Sequence, residues 1–517
     1  MLVTMKYPLG IQFFQGLRED GYVYVDKTRF VHQLVSSGKY YFLSRPRRFG
    51  KSLLISTFRA FFEGKRELFD GLAIHDLEKE WNKHPVFHLD LNARSYCGRN
   101  DLIAELNRHL ELWEKEYGDQ FKDRAVEERF SAVIRAAAEQ TGQKVVILVD
   151  EYDKPLLQAI GNEALQNEFR TILKAFYGNL KNCDEFIRFA FLTGVTKFGK
   201  VSVFSDLNHL TDISLLPQYA DICGITEKEL HQYFDDEVGE LAAQNGTAKE
   251  EAYETLKLNF DGYHFCANSP GIYNPFSLLK TLAFRVYRDY WFETGTPTFL
   301  IHQLQKTNYR LDDITTEEVS AEMLSSIEIM DENPLPLLFQ SGYLTIKEYN
   351  RRFDSYLLGF PNREVEVGFT RFLSSYYVPR RSGTSAFSVS QFVRDIDRGD
   401  ADGFMRRLSA LFSDGNYQVV GDQEIYFQNT LSVFLKMLGF YVDVERHTSN
   451  GRMDAVVQTH DYIYIFELKV NKDADTAIRQ IEEKGYAAPF AADPRQLYKI
   501  GVNFNTERRL IDDWKIA

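Results

Sequence analysis

Cysteine is scarce in this sequence, which contains four among 517 residues. Cys97, Cys183, Cys223 and Cys266 lie far apart and form no C-x-x-C pair, so their spacing indicates neither a zinc site nor a disulfide framework. Free thiols persist in a reducing compartment, and we therefore expect a cytoplasmic protein.

Long apolar runs are also missing. No stretch approaches the roughly 20 apolar residues that a helix needs to span a bilayer, and the N-terminal residues contain no signal-peptide core. The expectation is a protein that is neither exported nor bound to a membrane.

The sequence has no excess of basic residues either. Its net charge is −13, from 61 Lys+Arg and 74 Asp+Glu, which argues against a protein that coats nucleic acid but not against a local basic groove. Hydrophobic residues make up 44% of the chain and charged residues 26%, as in soluble globular proteins. At this length, two or three domains are expected rather than one core.

A strand, a loop and a helix are predicted in succession near the start of the chain. The apolar residues 40–44 lead into a basic loop that closes with Gly50-Lys51-Ser52, and apolar residues at helical spacing come next. This order predicts a phosphate-binding loop. Arg45 stands where the usual motif begins with glycine. The alternative interpretation is a basic loop that caps a helix.

Each residue of the predicted loop has a use in nucleotide binding. Backbone N–H groups of Arg48, Phe49 and Gly50, at the start of the helix, would point at the phosphates of ATP. Lys51 would reach the β and γ oxygens, and the hydroxyl of Ser52 would bind Mg²⁺.

Two acids follow a second apolar segment. Residues 145–149 suit a parallel strand buried on both faces. Asp150 would hold Mg²⁺ opposite the loop hydroxyl, and Glu151 would polarise the water that attacks the γ-phosphate. The alternative is that these acids cap the next helix, which Asp153 can do alone.

Further elements around these motifs complete a predicted α/β domain at 1–215. Thr193, at the end of one predicted strand, is a candidate sensor of the γ-phosphate. Thr28 is a candidate N-cap of an early helix. The strands are predicted at 22–25, 85–91 and 186–192, and the two long helices at 101–116 and 124–140.

The region 216–395 is predicted to be a helical lid followed by a winged-helix-like module. Amphipathic runs lie near 227–244, 248–258, 275–288 and 297–305. Short strands with polar turns are then predicted at 343–349, 355–360 and 364–369. Residues 378–384 have the composition of a linker.

Chemistry-bearing residues recur on predicted strands in the last quarter of the chain. A helix with apolar residues from 427 to 438 precedes strands at 440–446, 452–459 and 461–470. Asp454 lies on the second strand, and Glu467 and Lys469 share one face of the third because they are two residues apart.

This arrangement suits phosphodiester hydrolysis. The carboxylates of Asp454 and Glu467 would hold Mg²⁺, with the backbone carbonyl of Leu468 as a third ligand. Lys469 would orient the attacking water or stabilise transition-state charge. The alternative is an ordinary polar face on an amphipathic strand. Residues 401–517 contain 17 Asp+Glu and 14 Lys+Arg, so the grip on a nucleic acid is expected to come from elsewhere.

The motifs together resemble those of bacterial AAA-ATPase-like proteins that carry a C-terminal PD-(D/E)XK nuclease-like domain. In that family the arginine-rich loop form is characteristic, so the resemblance makes Arg45 a family trait. Met453 stands where the nuclease motif has proline, and Gln480, Lys484 and Tyr486 resemble the helix that follows the motif. The quoted matches are Tyr24-Val25-Asp26-Lys27-Thr28, Arg45-Pro46-Arg47-Arg48-Phe49-Gly50-Lys51-Ser52, Val149-Asp150-Glu151-Tyr152-Asp153-Lys154-Pro155-Leu156, Thr193-Gly194-Val195-Thr196-Lys197-Phe198, Phe260-Asp261-Gly262-Tyr263, Tyr273-Asn274-Pro275-Phe276 and Trp291-Phe292-Glu293-Thr294-Gly295-Thr296-Pro297.

The resemblance implies an AAA/STAND-like P-loop NTPase domain at 1–215 and a restriction-endonuclease-like α/β domain at 396–517. We expect ATP binding and hydrolysis coupled to Mg²⁺-dependent cleavage of nucleic acid, DNA rather than RNA. A homo-oligomer is among the assemblies left open. The alternative function is a nucleotide-dependent switch whose C-terminal fold binds but does not cut.

Overall fold

The structure, a computed structural model, describes residues 5–118, 121–197, 209–292, 300, 303–304, 307–324, 333–377, 389–413, 423–449, 452–508 and 510–517. The chain divides into two compact units. The first unit is Met1–Gly295 with Glu318–Val365, and the second is Thr296–Glu317 with Glu366–Ala517. The domain boundaries expected near 215 and 395 stay predictions. Within the described ranges, no helix is both long and apolar enough to cross a membrane.

Helices and strands alternate through the early part of the first unit. The helices are α1 (Phe14–Glu19), α2 (Thr28–Ser37), α3 (Lys51–Phe62), α4 (Ala73–Leu77), α5 (Arg99–Tyr117), α6 (Val126–Thr141), α7 (Lys154–Gln158), α8 (Glu163–Asn182), α9 (Glu227–Asn245), α10 (Lys249–Phe260), α11 (Pro275–Phe284), α12 (Ala321–Leu324) and α13 (Leu335–Gln340). The strands are β1 (Tyr40–Ser44), β2 (Val86–Asp90), β3 (Val145–Asp150), β4 (Ile187–Gly194), β5 (Thr211–Asp212), β6 (Ile225–Thr226), β7 (Ile272–Tyr273), β8 (Glu318–Ser320), β9 (Thr345–Asn350) and β10 (Ser355–Gly359).

A five-stranded parallel sheet is the centre of the first unit. Its strand order is β2-β3-β4-β1-β5, and every residue of β3 is buried, as a strand covered on both faces requires. The expected α/β fold with a P-loop-like parallel sheet is confirmed. Because β4 lies between β1 and β3, the residues at the ends of these three strands meet at one edge.

The helices α9, α10 and α11 form a second core in this unit. Leu230, Phe234, Val238 and Leu256 are buried there, and Val23 from the N-terminal segment packs against the same cluster. The helical character expected for the region after residue 216 is confirmed by these helices, whereas its role as a lid stays a prediction and the run at 297–305 falls mostly outside the described residues. The segment 378–384 lies entirely outside them.

Two predicted strands are wrong. Residues 22–25 belong to no strand; they run between the second core and the start of α2. Residues 364–369 lie in a helix, α14 (Arg363–Tyr377). Four of its buried apolar residues, Val365, Phe369, Leu373 and Tyr377, lie four positions apart, a spacing that places them on one face of a helix. The antiparallel hairpin of β9 and β10 before it is as predicted.

The prediction that Thr28 is the N-cap of α2 is also wrong. The helix begins at Thr28, but it is the carboxylate of Asp26 that accepts hydrogen bonds from the backbone N–H and the hydroxyl of Thr28. The other Asp26 oxygen accepts from the backbone N–H of Ala73, so this acid joins the starts of α2 and α4.

The second unit contains a five-stranded sheet covered by helices on both faces. Its order is β11-β12-β13-β14-β15, and only the β13–β14 pair is parallel within the described strands. Phe392, Phe404 and Phe434 pack on one face of the sheet, and Ile478 and Ile481 on the other. The further elements are α15 (Val389–Asp397), α16 (Ala401–Ser413), α17 (Gln423–Leu438), α18 (Ala474–Lys484), β11 (Asp443–Ser449), β12 (Arg452–Gln458), β13 (Tyr462–Val470), β14 (Gln496–Asn505) and β15 (Leu510–Ile516).

Candidate active sites

The phosphate-binding loop joins the end of β1 to the start of α3. Arg48 and Gly50 have left-handed backbone conformations, with φ of 68° and 96°, and Gly50 is the N-cap of α3. These turns bring the N-terminus of a 12-residue helix to the end of a buried strand. The positive end of such a helix attracts anions, so the local fold matches the sequence prediction.

Lys51 is buried and held at the centre of this loop. Its ammonium donates to the backbone carbonyls of Arg45, at 3.0 Å, and Pro46, at 3.2 Å. The Oε1 of Glu151 lies 3.6 Å from the same nitrogen. The structure therefore brings together the lysine of the phosphate-binding loop and the second of the two acids at the end of β3.

Asp150 and Thr193 meet at the ends of the neighbouring strands β3 and β4. The Thr193 hydroxyl donates to Oδ1 of Asp150 at 2.8 Å, and both residues are buried. Glu151, the next residue, has a left-handed φ of 54°. A non-glycine residue in that conformation carries strain of about 1–2 kcal/mol, and here the turn directs its side chain towards Lys51.

Asp153 has a role that sequence reasoning missed. It does not cap α7 with its side chain. Its buried carboxylate accepts hydrogen bonds from the backbone N–H groups of Val195 and Thr196 and from the Thr196 hydroxyl. Burial, followed by the negative charge of Glu151, raises the pKa of Asp153 to about 6. Asp153 thus fastens the segment after β4 to the segment after β3.

Arg45 occupies the position of the missing glycine and is fully buried. Its guanidinium donates to the carbonyls of Ser44, Ser214 and Tyr219 and lies 4.0 Å from the centre of the Phe265 ring. Burial lowers its pKa to about 10. The residue is therefore an anchor for the loop. Its partners Ser214 and Tyr219 are 169 and 174 positions away in sequence, beyond the reach of a local motif.

Two further loop side chains are taken up by packing. The Phe49 ring is buried against Tyr263 and Phe265. The Arg48 guanidinium lies 4.0 Å from the ring centre of Phe276. For these two residues the side chains are thus engaged in packing, and the phosphate contacts predicted for their backbone N–H groups stay a prediction. Ser52 follows in the first turn of α3, half-buried.

A mostly apolar pocket opens beside the loop. It offers about 610 Å³ of free space, including its open mouth. Its walls come from the N-terminal segment, the start of α3, β6 and α11, through Val23, Val25, Gly50, Leu53, Ile225 and Leu279. A flat aromatic group next to the phosphates fits a pocket of this character.

The strand pairing in the second unit places the predicted acids opposite each other. Asp454 of β12 is the register partner of Glu467 of β13. The β12–β13 pairing runs from this pair to Gln458 with Ile463, so Leu468 and Lys469 lie beyond its end. The Asp454 side chain is outside the described part of the structure.

Glu467 and Lys469 are in contact inside the protein. Both are buried, and the Lys469 ammonium donates to Oε1 of Glu467 and, at 2.6 Å, to Oε1 of Gln480 on α18. The glutamine therefore fixes the position of the lysine from the neighbouring helix. The resemblance had pointed to Gln480 without giving its contact.

Gly501 allows α18 to approach the sheet. It is the register partner of Glu467 on β14. A Cβ at this position would lie 2.4 Å from the carbonyl oxygen of Ala474 and 3.0 Å from Ile478, which is shorter than real contacts. Glycine is thus required for the helix that carries Gln480 to lie where it does.

The donors in both units suit a hard divalent cation. In the first unit they are a hydroxyl and a carboxylate from Ser52 and Asp150, and in the second the buried Glu467 with Asp454 in the facing register. Oxygen ligands of this kind are preferred by Mg²⁺. Among the side chains that the structure describes, no three His, Cys, Asp or Glu residues converge as a metal cluster.

These two folds define a P-loop NTPase-like unit joined to a nuclease-like domain. Residues 8–204 match the family described as Predicted AAA-ATPase, and residues 422–514 match the PD-(D/E)XK nuclease superfamily. An "Uncharacterized protein in vnfD 5'region" from Azotobacter chroococcum mcd 1 is 36% identical over 518 residues, covering 98% of each chain. The chain belongs to the family of predicted AAA-ATPases with a C-terminal PD-(D/E)XK nuclease-superfamily domain.

Proposed function

We propose that the first unit binds and hydrolyses ATP with Mg²⁺ and that this reaction controls Mg²⁺-dependent cleavage of nucleic acid by the C-terminal domain. The observation that carries the proposal is the meeting of Lys51 with Glu151, and of Asp150 with Thr193, at one edge of the parallel sheet. A phosphate site, an activating base and a metal ligand are what hydrolysis of a nucleoside triphosphate needs.

The roles within the ATP site follow from position. Lys51 and the backbone of residues 48–50 bind the phosphates, Ser52 and Asp150 hold Mg²⁺, and Glu151 orients the attacking water. Thr193 senses the γ-phosphate through its hydrogen bond to Asp150. The apolar pocket beside Gly50 receives the base.

In the C-terminal domain, Asp454, Glu467 and the Leu468 carbonyl hold the metal ion. A bound Mg²⁺ polarises a phosphate oxygen and makes a nucleophile of its water. Lys469 supplies positive charge to the reacting phosphate, and Gln480 keeps its ammonium in place. We extend the proposal to DNA as the target and the cytoplasm as the location, with domain limits at 1–215, 216–395 and 396–517.

The ATP half is tested with two variants that separate binding from hydrolysis. Lys51→Ala should lose nucleotide binding, because the lysine contacts ground-state phosphates. Glu151→Gln should bind ATP but turn it over at least 100-fold more slowly, since the base acts on the attacking water. Calorimetry and phosphate release measure the two effects. Normal turnover in Glu151→Gln would remove this assignment.

The nuclease half is tested on plasmid, single-stranded DNA and RNA, with and without Mg²⁺ and ATP. Asp454→Ala should abolish cleavage and weaken Mg²⁺ binding, as chelation does. Lys469→Ala should keep the metal but lose roughly 100-fold in rate. If ATP is hydrolysed while no nucleic acid is cut under any condition, the alternative of a nucleotide-dependent binding module replaces this half. Coupling predicts that Lys51→Ala changes the cleavage rate.

A further inference from the structure

The hairpin of β9 and β10 has a tip unlike the rest of the first unit's surface. Its ladder ends with the pair Asn350 and Ser355, and the connecting residues Arg351, Arg352, Phe353 and Asp354 are all exposed. Phe353 is 66% exposed, the largest value among the described exposed hydrophobic residues. Covering an exposed aromatic side chain with a partner removes apolar surface from water and so lowers the free energy.

Positive charge lies beside this aromatic ring. The Arg352 guanidinium lies 5.3 Å from the ring centre of Phe353. Within the part of the chain that the structure describes, neither Arg351 nor Arg352 is ion-paired with a carboxylate. The nearby acid, Asp354, accepts a hydrogen bond from the Tyr349 hydroxyl at 3.0 Å. Two arginines and a phenylalanine are therefore presented together.

The hairpin is braced close to its tip. Tyr349 and Tyr356 face each other across the strands with ring centres 4.9 Å apart, and such cross-strand aromatic pairs stabilise a hairpin. The strand β8 pairs with β10, and the Ala321 N–H donates to the Asp354 carbonyl. The tip is thus held on a three-stranded sheet.

The base of the hairpin contacts the phosphate-binding loop. Gly342, three residues before β9, has a φ of 87°, and a Cβ there would lie 2.6 Å from Cβ of Pro46. Thr345, the first residue of β9, exchanges hydrogen bonds with the backbone of His264. The segment that leads into the hairpin therefore lies close against the phosphate-binding loop, and close packing of this kind transmits strain.

We propose that the tip formed by Arg351, Arg352 and Phe353 is a nucleic-acid contact, with the arginines on backbone phosphates and the phenylalanine stacked on a base. The inference rests on the proposed function and supplies what that function lacks, because residues 401–517 carry more acids than bases. Arginine with an exposed aromatic ring is the pairing that binds phosphates and unpaired bases together. The substrate class is nucleic acid with single-stranded or opened bases.

The test measures binding of fluorescent 20-nucleotide single strands and duplexes to full-length protein carrying Asp454→Ala, the substitution expected to abolish cleavage. Adding Arg351→Ala with Arg352→Ala should weaken duplex binding about 10-fold or more. The slope of log affinity against log salt should fall by about 1.8, because each phosphate contact contributes about 0.9. Adding Phe353→Ala should weaken single-strand binding about 5-fold or more without changing that slope, and Phe353→Trp should restore it.

Matched controls are Arg124→Ala, an exposed arginine on the same unit, and Phe13→Ala, a phenylalanine that is 51% exposed. Neither should change affinity. ATP turnover should stay normal in the hairpin variants, which shows that the first unit is folded.

Three outcomes overturn the inference, and they are distinguishable. If the hairpin variants keep the affinity and salt slope of their cleavage-deficient background, and the wild-type parent protein both binds and cuts, the hairpin is rejected but the proposed function stands. Unchanged affinity with an altered sedimentation coefficient assigns the tip to contact between copies of this chain. If the parent protein neither binds nor cuts any nucleic acid, the proposed function fails together with the inference.

Discussion

Arg45 and Asp153 are buried charged residues that act on the backbone beside the ATP site. Arg45 ties the end of β1 to the carbonyls of Ser214 and Tyr219, and Asp153 ties the segment after β3 to Thr196. A buried charge is costly unless hydrogen bonds satisfy it. The two terminal guanidinium nitrogens of Arg45 and the carboxylate of Asp153 meet that condition, mainly through backbone groups. Each residue therefore fixes a segment from which proposed catalytic side chains project.

Restoring the glycine of the usual loop motif is expected to harm the protein. Arg45→Gly removes three charge-assisted hydrogen bonds and the stacking on Phe265, and should lower the free energy of unfolding by about 3 kcal/mol or more. ATP affinity should fall rather than rise. Arg47→Gly, at an exposed neighbour, is the control. Tighter ATP binding in Arg45→Gly, measured by calorimetry, would contradict the anchoring role.

The raised pKa of Asp153 predicts a pH dependence with a definite sign. In the unfolded chain this carboxyl titrates near 3.8, whereas in the folded protein its pKa is about 6. The folded state therefore binds the proton more tightly, and the stability contributed by this group falls as the pH rises from about 4 to about 6.

Asp153→Asn removes that titration, so the unfolding free energy of the variant should lack the pH-dependent part that Asp153 contributes. The melting temperature of wild type minus that of Asp153→Asn should shrink as the pH rises through this window. Differential scanning calorimetry between pH 4.5 and 7.5 measures it. Asp76→Asn, whose side chain is 95% exposed, controls for loss of a surface charge. Parallel curves for wild type and Asp153→Asn would reject the buried titration.

At the scale of elements, the position of α18 governs the nuclease-like site. Gln480 reaches Lys469 only because Gly501 lets the helix lie close to β14. The helix N-terminus is fixed by Asp473, which accepts from Thr476, and by Asp513, which accepts from the Ala474 N–H. These contacts fix the position of α18 on the sheet, and with it the position of Gln480.

Gly501→Ala should displace α18 and loosen Lys469. We expect cleavage to fall about 10-fold or more, as small misplacements of catalytic groups do, with a loss of stability of about 1–3 kcal/mol from overpacking. Gly439→Ala, at an exposed glycine of the same unit that has no left-handed φ and whose added Cβ would meet nothing closer than 3.4 Å, is the matched control. Equal cleavage by both variants, in a gel assay under single-turnover conditions, would show that the close approach is unimportant.

Elements with a strong local signal were predictable from sequence. The apolar runs of β1, β3 and β4 and the strands around Asp454 and Glu467 are where the sequence analysis expected them. The segment 364–369 differs from its prediction because Val365, Val367 and Phe369 alternate over a short window, as in a strand. Glu364 also hides the helical pattern, because it is a charged residue that is buried, where it accepts hydrogen bonds from the Ser277 hydroxyl and the Trp291 N–H. The strands β14 and β15 were not predicted at all.

The candidate sites were predictable in their residues but not in their supports. Lys51, Glu151, Glu467 and Lys469 stand in recognisable local patterns. Arg45 depends on carbonyls about 170 positions away, and this pairing exists only in the folded chain. Tertiary partners of this kind carry no local sequence signal.

On the scale of the whole molecule, the first unit is discontinuous in sequence. Its P-loop contacts residues from three later segments: Arg45 binds the Tyr219 carbonyl, Phe49 packs on Tyr263, and Pro46 meets Gly342. The unit is completed only by Glu318–Val365.

Fragments should reveal this dependence. A fragment of residues 1–365 should melt cooperatively and bind ATP, whereas residues 1–215 should do neither, since the latter lack all three partners of the loop. Circular dichroism melting and nucleotide calorimetry compare them. Cooperative melting and wild-type ATP affinity in the shorter fragment would show that the loop does not need these later segments.

The Gly342 contact with Pro46 also sets an order of events during synthesis. About 300 residues separate the two, which at roughly 5–20 residues per second corresponds to about 15–60 s on the ribosome. The strands bearing Asp454 and Glu467 emerge later still. Each new polypeptide therefore completes the proposed ATP-binding loop before its proposed cutting residues have been made.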